Sequence, residues 1–183
     1  MTSATQYTRT AIVLHWVVAA LIVGNFIFGL YVGDLPNSPA KLHDLAYHKW
    51  AGMTVLFLAA FRLLWRLRHP APPLPAAMPA WQQQAAHASH FLLYVLFFAT
   101  PITGWLFSSA TGLKVVYFGV LPIPDLIDRN RETAHLLHGV HQWLAYAMAV
   151  VVVLHAAAAL RHHYVDKDDV LRRMLSFRGL EKP

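Results

Sequence analysis

Twelve of the 183 residues are histidine and none is cysteine. The missing thiols exclude a disulfide framework, thiolate ligation of iron–sulfur clusters, a cysteine-based zinc site and a cysteine nucleophile. Imidazole remains, a metal ligand in its neutral form and an expensive group in apolar surroundings unless it has a partner. Four rings, His15, His48, His141 and His155, fall inside or at the margins of long apolar stretches. His141 and His155 are fourteen positions apart. On a helix that is four turns less about 40°, so both rings leave nearly the same face. Along the axis they stand roughly 21 Å apart at ~1.5 Å per residue, too far for one mononuclear site. The spacing suits two sites stacked along one helix, each needing a second ring from another element.

Those elements read as membrane spans. The chain is 57% hydrophobic and 13% charged, where a soluble domain carries about 25% charged residues. A bilayer-crossing helix needs ~20 mostly apolar residues. Four stretches qualify, at 10–31, 46–67, 85–108 and 138–160. The sequence therefore predicts an all-α membrane protein, a single-domain four-helix transmembrane bundle over 1–183 with a tail from 161. Gly33-Asp34-Leu35-Pro36 ends the first span, and Pro70, Pro72, Pro73, Pro75 and Pro79 come after the second. Gly112, Gly119, Pro122 and Pro124 break the loop 109–137. The first apolar stretch is a full span without a small-residue cleavage site, so it reads as a span and not as a cleavable leader.

Lys and Arg set the orientation. With both termini cytoplasmic, the inner side holds Arg9, Arg62, Arg66, Arg68, Arg161, Lys167, Arg172, Arg173, Arg178 and Lys182, and the outer side only Lys41, Lys49, Lys114, Arg129 and Arg131. Basic residues that flank spans are explained by topology and anionic headgroups, so the net charge of +6 does not point to nucleic acid. The tail 164–173 is expected to continue helically at the membrane surface as an anchor.

This topology assigns a depth to each ring. His15 and His155 share the inner half, and His48 and His141 the outer. Two imidazoles from facing helices at one depth are what a six-coordinate b-type haem requires. A redox-inert metal fits less well, because no Asp, Glu or Cys shares either level. The same step of fourteen leads from His15 to Gly29 and from His48 to Arg62. Gly29 is expected to leave room for a macrocycle at the outer level, and Gly52 to leave room beside a ring. Arg62, at the inner level, is placed to pair with haem propionates or quinone oxygens. His43, His135 and His138 lie close enough to His48 and His141 to replace either outer ligand. His87 and His90 read as interfacial. His162, two turns past His155, is a candidate hydrogen-bond donor to a quinone carbonyl, whereas His163 is expected to face solvent or lipid. The six tryptophans fall mostly near span ends, as an aromatic belt does.

At these residues the sequence closely resembles the bacterial cytochrome b561 family, small di-haem proteins of the inner membrane. The matching pieces are LHW at 14–16, HKWAG at 48–52, FRLLWRLRHPAPPLP at 61–75, AAHASHFLLYVLFFATPITGW at 85–105 and LHAAAALRHHYVDKDDVLRRM at 154–174. The resemblance covers nearly the whole chain apart from the outer loops. It implies axial ligands at His15, His48, His141 and His155, and a four-helix bundle carrying two b haems. It also implies oxidation of superoxide at the outer surface, with electrons passing to ubiquinone near His162.

Superoxide is a small anion that needs an accessible haem edge and a favourable field, which the five outer cations would supply. Five outer acids, Asp34, Asp44, Asp125, Asp128 and Glu132, balance them formally. Reduction of a quinone needs protons, for which His162 and Asp166 are expected suppliers. The rival expectation is an electron carrier that links the quinone pool to a periplasmic redox protein or dehydrogenase docked on the 109–137 loop. A purely structural or transport bundle leaves the paired histidines without a use.

Overall fold

A computed structural model describes residues 6–175. Four long helices form the bundle: α1 Arg9–Asp34, α2 Pro39–Arg68, α3 Ala80–Thr111 and α4 Arg131–Arg161. All four are long and apolar enough to cross a membrane. Each overruns its expected span, and polar side chains cap the starts of α1, α2 and α4. Thr8, Ser38 and Asn130 accept hydrogen bonds from the amides of Ala11, Lys41 and Thr133 at 3.2, 3.1 and 2.9 Å. These side chains satisfy amides that the first turn leaves without partners. Gly112, at φ 76°, ends α3 in the left-handed conformation and turns the chain back on itself.

The helices pack as two antiparallel pairs, α1 with α2 and α3 with α4, joined through α2 and α3, while α1 barely touches α4. The core is Val18 and Ile22 of α1, Val55 and Ala59 of α2, Leu93, Leu96 and Phe97 of α3, and Met148 of α4. Met148 lies midway between His141 and His155, so this apolar plug sits between the two histidine levels. Outside it, Ile27, Phe57, Phe61, Phe91, Val150, Val153 and Leu154 are exposed. On a membrane-spanning bundle that surface meets lipid.

Two connections are more ordered than the sequence suggests. Within the expected 109–137 loop, β1 (Val115–Tyr117) and β2 (Leu121–Ile123) form an antiparallel hairpin. After α4 the backbone does not continue as a surface helix. It widens into a π-helical turn at His162–Asp166, reverses at Lys167 (φ 53°), and ends the described residues in α5, Arg172–Leu175. This segment folds back beneath the bundle. Trp16 donates to the Met174 carbonyl at 2.8 Å and Arg173 to the Pro73 carbonyl at 2.7 Å. Arg173 also donates to Asp169 at 2.9 Å, and that hydrogen bond holds the Asp169 carboxyl below its usual range. Residues 176–183, with Arg178 and Lys182, lie outside the described residues.

The aromatic belt has a second use. Four indole N–H groups hold connections in place: Trp16 on Met174, Trp65 on Thr8, Trp50 on Val116 and Trp105 on Pro124.

Two candidate haem sites

The bundle brings four histidines together as two pairs. At the hairpin end, the rings of His48 (α2) and His141 (α4) have centres 6.2 Å apart and planes at 84°. At the end that carries the termini, His15 (α1) and His155 (α4) also lie 6.2 Å apart, at 61°. An imidazole nitrogen stands about 2 Å from a first-row metal and the ring centre about 1 Å beyond, so two rings on opposite sides of one iron are about 6 Å apart. Both pairs fit a six-coordinate haem. His43, His135 and His138 are exposed or half-exposed and stand outside both pairs. His43 bonds Tyr47 at 3.2 Å, and His138 packs on Phe107 at 5.2 Å.

At the hairpin end the rings are seated by backbone. His141 Nδ1 donates to the Thr100 carbonyl at 2.9 Å, which fixes the tautomer and leaves Nε2 free for a metal. Pro101, the next residue, interrupts the α3 hydrogen-bond ladder at this level. A Cβ on Gly104 would stand 2.9 Å from His141 Cε1, and one on Gly29 would stand 2.7 Å from His48 Cε1. Gly29 therefore makes room for the imidazole and not for a macrocycle, which corrects the sequence expectation. Gly52 faces Asn25 on α1 at 3.8 Å and belongs to helix packing. Gly104 is a site residue that the sequence reading misses; its place fourteen positions after His90 is the signal that could have found it. His48 Nδ1 is buried and has no hydrogen-bond partner among the described residues.

The termini-end pair has polar company instead. Arg62 Nη2 donates to His15 Nδ1 at 3.3 Å, and the guanidinium lies 5.7 Å over the Tyr94 ring. His90 is not interfacial: its ring is half-buried, 5.2 Å from that of His155. The long α3 starts ten positions before His90, at Ala80, so the ring is carried into the bundle. His87 is exposed or half-exposed near the start of α3, as an interfacial ring would be. A small cavity beside Arg62 is lined by Tyr7, Trp65, Arg66 and Tyr94 and closed by Met174. Tyr94 Oη is buried there without a partner among the described residues. Two guanidiniums and a free hydroxyl suit carboxylate groups such as haem propionates.

His162 opens the π-helical turn. Its Nδ1 lies 2.6 Å from Asp168 Oδ2 and 3.4 Å from Asp166 Oδ2, with the side chain 13% exposed. The sequence points to Asp166, but the reversal at Lys167 makes Asp168 the nearer carboxylate. His163 is half-buried with an unpartnered Nδ1 and faces neither solvent nor lipid freely. The extra residue in the π turn rotates it away from its α-helical direction.

Among the described residues, none of the five cations at the hairpin end pairs with a carboxylate. Two are tied to backbone. Lys41 donates to the carbonyls of Gly33 and Leu35 at 3.2 and 2.6 Å, and Lys49 to that of Leu113 at 2.8 Å.

Comparison with known proteins identifies the family of this bundle. The model of the prokaryotic cytochrome b561 family matches residues 6–177. Cytochrome b561 homolog 2 of Escherichia coli K12 is 36% identical over 172 residues, covering 93% of this chain and 91% of its own. The probable superoxide oxidase CybB of Yersinia pestis is 33% identical over 170 residues, covering 93% and 96%. Cytochrome b562 of Cereibacter sphaeroides is 30% identical over 182 residues, covering 96% and 98%. With four spans, paired imidazoles and a match over nearly its full length, the chain belongs to the prokaryotic cytochrome b561 family of haem b membrane proteins that transfer electrons.

Proposed function

We propose that the chain is a di-haem cytochrome of the bacterial inner membrane that oxidises superoxide at the outer face and reduces ubiquinone at the inner. The observation that carries this reading is the pair of imidazole couples, each 6.2 Å between ring centres, one at either end of the bundle. Two b haems, when bound, supply the one-electron chemistry that joins the two faces. His48 and His141 would hold a haem at the hairpin end, and His15 and His155 one at the termini end. Arg62, whose Nη2 stands 3.3 Å from His15 Nδ1, would pair with a propionate or a quinone oxygen.

Both termini are cytoplasmic in this reading, supported by ten Lys and Arg on their side against five on the other. Superoxide as donor is supported by the name of the Yersinia pestis relative and by outer cations left without carboxylate partners among the described residues. A quinone takes up two protons as it is reduced. His162, held by Asp168 and flanked by Asp166, presents its outer nitrogen to a quinone oxygen and passes a proton there.

Superoxide generated in the presence of purified, oxidised protein should produce prompt growth of a reduced b-type band, abolished by superoxide dismutase. A b-type spectrum that stays oxidised until dithionite is added would transfer the reading to an electron carrier fed by a periplasmic redox protein. No haem spectrum at all would overturn it. His162→Ala should slow quinone reduction several-fold at unchanged haem content, and unchanged kinetics would remove His162 from the site.

A further inference from the structure

Between Lys114 and Asp125 runs VVYFGVLPIP, ten residues without a charge. A stretch of that length is too short to span a bilayer and is typical of a re-entrant or interfacial segment. Gly112 turns the chain back at the end of α3, and the strand after it runs toward the middle of the bundle. Trp50 donates to the Val116 carbonyl at 2.6 Å. One turn further along α2, Thr54 Oγ1 bonds the Tyr117 hydroxyl at 2.8 Å. Phe57 then packs edge-on to the Tyr117 ring at 5.8 Å. Along the helix axis Thr54 lies about 6 Å and Phe57 about 10 Å nearer the bundle centre than Trp50. Tyr117 thus reaches the level of Val55, a core residue of a membrane-spanning helix.

One edge of the Phe118 ring rests on Trp50 and Tyr117, with ring centres 5.5 and 4.5 Å apart, but among the described residues the outer side of the hairpin stays largely uncovered. Phe118 is 60% exposed, Val120 82% and Leu121 54%. This apolar surface continues onto the exposed rings of Phe57 and Phe61 on α2. Phe118 also holds φ 50° beside Gly119 at φ 73°, a conformation that disfavours a bulky side chain. Part of the backbone at the tip is satisfied internally. Val120 N donates to the Tyr117 carbonyl at 3.2 Å, Gly119 N to Val116 at 3.0 Å, and Pro122 has no N–H to satisfy.

We propose that the hairpin 115–123 is a re-entrant element seated in the acyl chains of the leaflet at its end of the bundle, with Phe118, Val120 and Leu121 as its lipid contacts. Lys114 and Asp125 remain at headgroup level, and the edge of the bundle beside Trp50 is sealed by lipid-embedded backbone. The tip is then unavailable to a water-soluble partner protein.

Because the chain has no cysteine, one nitroxide can be placed at a time without removing others. Phe118→Cys and Val120→Cys would be labelled, with Val153→Cys on the exposed face of α4 as lipid reference and Asp128→Cys as water reference. The haem-loaded variants are reconstituted into phosphatidylethanolamine–phosphatidylglycerol vesicles. Relaxation of each label by oxygen, which partitions into lipid, is compared with relaxation by a water-soluble nickel chelate. Haem iron contributes equally to both readings of a given label. Labels at 118 and 120 should respond several-fold more to oxygen than to nickel, as at 153, and opposite to 128. Either position suffices if the other variant does not load haem. Labels that behave like 128, or that respond equally to both reagents as at headgroup depth, would overturn the proposal.

Discussion

The two ends of the bundle hold an identical separation between imidazoles, 6.2 Å, by different physics. At the hairpin end the rings are held by shape. Gly29 and Gly104 are bare where a Cβ would collide with the rings, and the Thr100 carbonyl pins His141. At the termini end no glycine touches a ring among the described residues. There the surroundings are charge and polarity: Arg62 on His15, His90 against His155, and Arg66 with the unpartnered Tyr94 hydroxyl in the adjoining cavity. A site held by shape fixes position. A site surrounded by cations also biases charge, because each electron added to a haem lowers its net positive charge. On the di-haem reading proposed above, the termini-end haem should therefore hold an electron more tightly, which would direct flow from the hairpin end to the other.

Removing a ring tests this contrast most severely. His48→Ala or His141→Ala should each abolish the hairpin-end haem, halving haem per chain, while the other stays largely in place. Pyridine haemochrome quantitation with the low-temperature spectrum reads this directly, and loss of the termini-end haem alone would break the pairing. Next in size is Gly104→Ala. Alanine favours a helix over glycine by about 0.8–1 kcal/mol, so helix content should hold or rise. The methyl group displaces the His141 ring, and haem affinity at that end should fall roughly 10–100-fold, as when a ligand's supporting contact is lost. Haem titration of the apoprotein alongside circular dichroism separates the two effects, and unchanged affinity would remove shape as the device. The smallest effect is Arg62→Gln, which should lower the midpoint potential of the termini-end haem on the order of 100 mV at an effective dielectric near 20. Redox titration that moves both haems equally, or neither, would erase the electrostatic half of the comparison.

Much of this is legible from periodicity. Spans 10–31 to 138–160 are visible because apolar length is a local property, and the fourteen-residue step between His141 and His155 is helical arithmetic. The same arithmetic puts Arg62 at the level of His15, which it touches. What escapes the sequence depends on long-range packing. Gly29 falls at the correct level, but only the lean of His48 across from α2 decides that an imidazole fills its space. The hairpin is three residues a side, held by Trp50 and Thr54, which lie more than sixty positions away in sequence. His163 and Asp168 escape because one additional residue in a turn changes the direction of everything after it, and no composition signal marks that turn.

Both imidazole pairs draw one ring from α4, the last long helix to be made. A chain that enters the membrane from its N-terminus presents His15 and His48 early, yet neither has its counterpart until residue 141 or 155 has been added. Cofactor loading is thereby deferred to the end of biogenesis, and a nascent chain stopped before Arg131 carries half of each site and the whole of neither. Termination before that helix should then yield a membrane-inserted but colourless product, and a chain with both haems is one whose synthesis has passed His155.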